Sequence, residues 1–297
     1  MEVRVLILTP LAVERAAVLR HLDKVGMERL GNSLYDIGYF TGKHHRFRIT
    51  LRETGSKNAV VSGAASEAIG IIKPAVAFLL GVCGGIKDVL LGDLVVAEKA
   101  YNYDGGKITG DGFNARPDSL PFSKELLTAA HEVARLPDWR KRTQNGTTDA
   151  RVFFGPIASG DKVIAHKESE QFIQIKRFFN DTTAVEMESH GFAQAAYNFP
   201  DVRVLNIRGV SDLIDGKREA DEKGSQETAS DLAAAFAMEL LYGLDCSAFP
   251  NVNLSAPHTE HSSDKTSINN SKNIIAGSNI TLNGGGLHIG DIKNIIK

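Results

Sequence analysis

Apolar residues in the first 245 positions follow two rhythms. Short dense runs read as strands: "VRVLILTP" (3–10), "RFRITLRE" (46–53), "AVAFLLGVC" (75–83), "DLVVAEKAY" (93–101), "VFFGPIAS" (152–159) and "VRVLNIRGVSD" (202–212). Between them, apolar residues recur at helical spacing in segments beginning near Val13, Ala59, Ser123, Ser189 and Glu227. The last, "ETASDLAAAFAMELLYGL", is the clearest. This alternation predicts an α/β layered fold. Four runs end in glycine or in a charged residue: "GVCGG", "IASGDK", "RGVSD" and "AVEMES". In open α/β sheets ligands gather beyond the carboxyl ends of the strands, so these segments are the pocket candidates.

The rhythm stops after the last helix. Residues 1–246 read as one α/β domain, and residues 247–272, rich in Ser, Asn, His and Pro, as a polar linker. Residues 273–297 place short apolar pairs between Asn and Gly, with turn signals at Gly277 and Gly284–Gly286. That is a β-prone tail, too small to fold alone. Two readings stay open for it: an inert end, or an assembly or signalling segment that stacks between chains.

Composition narrows the classes. With 297 residues, 42% of them apolar, the chain can bury a full core. A net charge of −2 argues against general affinity for nucleic acid or membrane. Two cysteines, Cys83 and Cys246, are too few for a disulfide framework or a zinc site, and they fit a reducing, cytoplasmic setting. The N-terminal apolar run is too short for a signal peptide, and no run is long enough to span a bilayer. There is no phosphate-binding GxxxxGK[ST] loop and no GxGxxG after a strand.

The candidate chemistry lies in the strand ends. In "AVEMESHGFAQAA" (184–196), Glu186 and Glu188 flank Met187 at a strand-to-helix junction. On a strand both carboxylates would share a face; a helix start stabilised by the helix dipole is the plainer account of Glu188. Asp212 closes an apolar run after Arg208 and Ser211, and read alone it is an ordinary cap or turn residue. Glu14 reads as a first-turn helix glutamate. Arg46, Arg48 and Arg52 read as solvent-facing residues of an edge strand.

Six motifs in order, "LTPLAVERAAVL", "ETGSKNA", "GVCGGIKDVLLGDLVV", "SGDKVI", "AVEMES" and "IRGVSD", resemble the nucleoside phosphorylase/nucleosidase superfamily. The likeness is to its methylthioadenosine/S-adenosylhomocysteine nucleosidase-like branch and covers nearly all of residues 3–245. The resemblance implies a three-layer α/β/α fold with a central mixed twisted sheet. It implies hydrolysis of a purine N-glycosidic bond without metal or organic cofactor. Asp212 would protonate the leaving base, for which burial would raise its pKa. Glu14 would activate water, Glu188 and Met187 would hold the ribose, and Glu186, Arg208 and Ser211 would support them. Val163 and Ile164 would reach the base beside Cys83 and Gly84. Gly55, Ser56 and Lys57 would lie near the 5′ group.

Two departures from the family pattern bear on the substrate. Val82 stands where relatives carry Ser or Thr, which weakens an orthophosphate site and so a phosphorylase reading. Lys57 stands where relatives usually carry Gly; a phosphate partner and a solvated side chain are both open for it. The resemblance leaves an adenine nucleoside or a nucleotide such as ATP as substrate, and a homo-oligomer, dimer to hexamer, as assembly. Relatives with added modules resemble bacterial antiphage effectors, which links the tail to the nucleotide version. A sensor or signalling protein driven by the tail is the alternative of another class.

Overall fold

The computed structural model describes residues 2–110, 112–146, 148–215 and 224–253. All six expected strands are present: β1 (Glu2–Thr9), β4 (Arg46–Glu53), β5 (Val76–Gly85), β6 (Leu94–Asn102), β10 (Val152–Ser159) and β12 (Arg203–Asp212). So are the five expected helices: α1 (Ala12–Leu19), α2 (Asn58–Ile72), α3 (Lys124–Arg135), α5 (Ser189–Tyr197) and α6 (Ser225–Gly243). Further elements join them: β2 (Asp23–Leu30), β3 (Ser33–Thr41), the hairpin β7 (Gly106–Thr109) and β8 (Gly112–Ala115), β9 (Ser119–Pro121), α4 (Glu170–Phe178) and β11 (Ala184–Glu186).

The main sheet runs β11-β10-β6-β12-β5-β1-β4-β3-β2, with β9 beside β6. It is mixed. β12, β5, β1 and β4 are parallel, whereas β6 meets β12 antiparallel. β11 pairs with both β10 and β5, so that end of the sheet curls on itself. β4 lies between β1 and β3, which corrects the edge-strand expectation. Its arginines are engaged locally: Arg46 lies over the Tyr39 ring, Arg48 pairs with Glu28 at 2.6 Å, and Arg52 pairs with Glu67 at 2.8 Å.

The layers follow from β12. Asn206 and Arg208 point toward the first turn of α5, where the Asn206 amide donates to the Ser189 hydroxyl. Gly209 faces α6, and a Cβ there would lie 2.1 Å from the Ala229 carbonyl oxygen. Successive strand residues point to opposite faces, so α5 and α6 cover opposite sides of the sheet. α1 packs on α6, and α2 packs on α5. α6 is buried along nearly all of Ala229–Leu241, which matches its Ala-rich sequence.

Residues 247–253, the expected start of the linker, instead close the core. Val252 is buried, Phe249 packs against the main cluster, and the Asn251 amide donates to the Pro74 carbonyl at 3.0 Å. The rest of the expected linker and the tail at 273–297 lie outside the described residues. Among the described residues, no helix is long and apolar enough to cross a membrane.

Candidate active site

The carboxyl ends of β5, β11 and β12 open onto one cavity of about 190 Å³. An apolar cavity of roughly 150 Å³ already accepts benzene, so this one has room for an organic ligand. Each segment singled out from the sequence contributes to its wall. Glu14, Ser56, Cys83, Gly84, Val163, Ile164, Glu186, Met187, Glu188, Arg208, Ser211 and Asp212 all line it, beside Val82, Lys162 and Gln226. Gly55 and Lys57 do not appear in the lining.

Glu14 reaches the cavity because α1 begins directly beyond β1. Its carboxylate accepts the Leu11 N–H at 2.7 Å and the Val82 N–H at 2.9 Å. The first bond closes the opening turn of α1; the second ties that turn to β5. A glycine at position 81 is required here, since a Cβ would meet Glu14 Oε1 at 2.4 Å. Glu14 is 2% exposed. Burial raises its pKa to about 7, against the opposing pull of Arg208 and the two N–H donors.

Glu186 and Glu188 arrive by different routes, not on one strand face. β11 ends at Glu186, whose carboxylate accepts the N–H groups of Glu188 and Ser189, each at 3.0 Å. Glu186 therefore caps α5, satisfying donors that a helix start leaves free. Glu188 occupies the residue before the helix and is thereby turned into the cavity. Burial, then the neighbouring Glu186 charge, raises its pKa to about 8. The helix-start role expected of Glu188 thus falls to Glu186.

Arg208 binds the carboxylates together. It is 1% exposed, and its Nη2 lies 2.6 Å from Glu186 and 3.3 Å from Glu188. Its Nε donates to Asn206 Oδ1 at 2.9 Å. Asp212 lies at the end of the same strand as Arg208. A register shift in β12 between Val210 and Asp212 leaves Ser211 as an extra residue. Such a bulge re-aims side chains, and here Ser211 and Asp212 both line the cavity. Asp212 Oδ1 accepts the Ile214 N–H at 3.1 Å, and the Ser211 hydroxyl lies 3.2 Å from Oδ2. Gly84 allows this packing, since a Cβ there would stand 3.0 Å from Asp212 Oδ1.

In the segment after β10, Ile164 is buried while Val163 is 63% exposed. Cys83 is buried in the wall. Lys57 has an exposed side chain; its backbone N–H points inward, donating to Glu188 Oε1 at 3.3 Å. Its φ of 93° lies in the region that favours glycine. The cationic side chains that do line the cavity are already paired, Arg208 with its glutamates and Lys162 with Asp104 at 2.7 Å.

Sequence reasoning passed over Asn206, Asn58 and the backbone donors of Leu11 and Val82. Only Gly81 left a signal, since a glycine inside an apolar strand run marks a close approach.

A mixed sheet carrying a buried three-glutamate, one-arginine cluster, with an aspartate in the same cavity wall, defines a small-molecule site on an α/β scaffold. The phosphorylase superfamily matches residues 4–242, and the chain belongs to that superfamily. Curated relatives include the 5′-methylthioadenosine/S-adenosylhomocysteine nucleosidase of Haemophilus influenzae (strain PittEE), 27% identical over 208 residues, 68% of this chain and 84% of that protein. The nucleosidase of the same name from Staphylococcus aureus (strain JH9) is 29% identical over 210 residues, 67% of this chain and 83% of that one. Among solved structures, the Streptococcus pneumoniae MTA/SAH nucleosidase in complex with 8-aminoadenine aligns with a TM-score of 0.67 at 21% identity, covering 81% of this chain and 100% of that one. A futalosine hydrolase mutant from Helicobacter pylori aligns with a TM-score of 0.65 at 20% identity, covering 80% and 98%. At these identities the structural likeness establishes the fold.

Proposed function

We propose that the chain is an N-glycosyl hydrolase that cleaves the N9–C1′ bond of an adenine nucleoside. The observation that carries this reading is the convergence of Glu14, Glu188, Arg208 and Asp212 on one buried cavity. Cleavage needs a proton for the departing base, a partner for the cationic sugar, and an activated water. Asp212 is the acid: its carboxyl gives a proton to the purine N7 as the C–N bond electrons move to the base. Glu188 accepts the ribose hydroxyls, and its charge favours the oxocarbenium-like transition state. Glu14 takes the proton of the water whose oxygen bonds to C1′. Free base and free sugar leave, and atoms and charge balance.

The paired state of Arg208 and Lys162 favours a substrate with an uncharged 5′ group over a nucleotide. No described cation in the lining is left over for a phosphate. The names of the relatives point the same way. Glu14, buried beside the Val82 N–H with a raised pKa, favours water as the nucleophile.

The test is adenine release, followed by chromatography, from methylthioadenosine, adenosine, AMP and ATP, each with and without phosphate. Release from methylthioadenosine or adenosine without phosphate is expected. In Asp212→Asn it is expected to fall by about 100-fold or more, the scale of a lost general acid. Turnover that requires phosphate would make the chain a phosphorylase. Adenine from ATP would favour the nucleotide version and its antiphage setting.

A further inference from the structure

Three walls of the cavity meet behind its lining, and one side chain joins them. Asn58, the first residue of α2, does not line the cavity. Its amide oxygen accepts the Gly191 N–H at 2.7 Å and the Ser159 hydroxyl at 2.9 Å. Ser159 is fully buried at the end of β10 and leads into residues 160–164, which bring Val163 and Ile164 to the cavity. Gly191 lies in the first turn of α5, which starts from Glu188. The Asn58 N–H donates to Asp161 Oδ1 at 3.0 Å, and the preceding N–H, of Lys57, donates to Glu188 Oε1 at 3.3 Å. Two adjacent peptides thus hold one carboxylate of the base-side loop and the carboxylate assigned to the sugar.

We propose that Asn58 is a positioning residue that sets the spacing between the base-side loop 160–164 and Glu188, so that a purine seated by the loop presents its sugar to that carboxylate. This rests on the nucleosidase reading above.

The packing leaves little freedom for another spacing. A Cβ on Gly191 would lie 2.1 Å from the Asn58 carbonyl oxygen, so α2 and α5 touch backbone to backbone. Lys57 takes φ 93° and ψ 142°, which aims its N–H at Glu188. Such a conformation is strained for a residue other than glycine and persists where neighbours over-determine it. The far side of the loop is held as well: the Asp161 N–H donates to Asp104 Oδ2 at 3.0 Å, and the Gly160 N–H donates to the Glu186 carbonyl at 3.2 Å. A displacement of roughly 1 Å between reacting groups can cost about 100-fold in rate.

In both side-chain bonds Asn58 acts as an acceptor. Aspartate keeps that acceptor in the same shape, and leucine removes it. The experiment measures adenine release by the full chain, from adenosine and methylthioadenosine across pH, for wild type, Asn58→Leu and Asn58→Asp, together with binding of free adenine. Asn58→Leu is expected to lower kcat/KM by about 100-fold. Its acid limb should move to higher pH, because a shifted start of α2 carries the Lys57 N–H away from Glu188, and that donor favours the ionised carboxylate. Free adenine, which has no sugar to misplace, should bind within about threefold of wild type, and Asn58→Asp should keep kcat/KM within about tenfold. Wild-type kcat/KM and pH profile in Asn58→Leu would overturn the proposal. So would equal loss of activity and adenine binding in both variants, which would make Asn58 a folding residue. A wild type that binds adenine but releases none from any nucleoside would overturn the nucleosidase reading itself, and the inference with it.

Discussion

Glu14 and Glu188 are carboxyl groups held where water is scarce, and that sets how the site responds to pH. Burial is the largest cause of both shifts, from the ordinary 4.5 to about 7 for Glu14 and about 8 for Glu188. Both groups act in the proposed reaction as carboxylates. Thus kcat/KM is expected to fall in two steps as pH drops through about 8 and about 7, and Glu188→Gln should leave only the lower step. The same shifts fix a stability trend. Between pH 4.5 and 8 the folded chain holds protons that the unfolded chain has released. The stabilisation from these two groups is therefore complete below about 4.5 and is lost as pH rises through 7 and 8. Thermal melts of the ligand-free protein across that range check the sign. The sequence marked both glutamates through their place at strand ends. It did not mark their pKa values, because those depend on which chain segments exclude water from around them.

At the scale of elements, the contact between β12 and α6 holds Arg208 and Asp212 in place. Gly209 sits between them in the strand, with the Ala229 backbone against it. Gly209→Ala would push a Cβ into that helix backbone, which cannot rotate away as a side chain would. Overpacking of this kind costs about 1–3 kcal/mol. For a domain of this size the melting temperature should drop by about 2–10 °C. Adenine release should fall with it, since the strand carries two site residues. Elements buried on both faces were legible: β1, β5 and β12 are dense apolar runs, and α6 is unmistakable. β2 was not, because it is exposed along almost its whole length and shows no alternation. β11 has only three residues, too few to show a period, although the junction after it was read correctly. α4 was missed too, with Phe172 and Ile175 its buried residues.

At the scale of the molecule, the C-terminal boundary of the α/β domain is the first thing to test. Val252 and Phe249 pack on the core, beyond the helix where the sequence pattern ends. A chain ended after residue 253 is expected to melt with the full chain and release adenine at the same rate. One ended after Cys246 should lose about 2 kcal/mol, the order of one buried apolar side chain, seen as a lower denaturation midpoint. A shorter chain that stays folded but loses adenine release would return importance to the tail. Order along the chain was enough to determine the layered class, the four pocket segments and the superfamily, because strand and helix periods and motif order are local properties. Tertiary structure decided the rest. It brought Glu14 onto the Val82 N–H, turned the Lys57 backbone toward Glu188 while leaving its ammonium outside, and paired Arg208 with carboxylates 20 and 22 positions away. Those outcomes depend on which backbones approach closely and which groups lose water together, and neither is encoded in the spacing of residues along one segment.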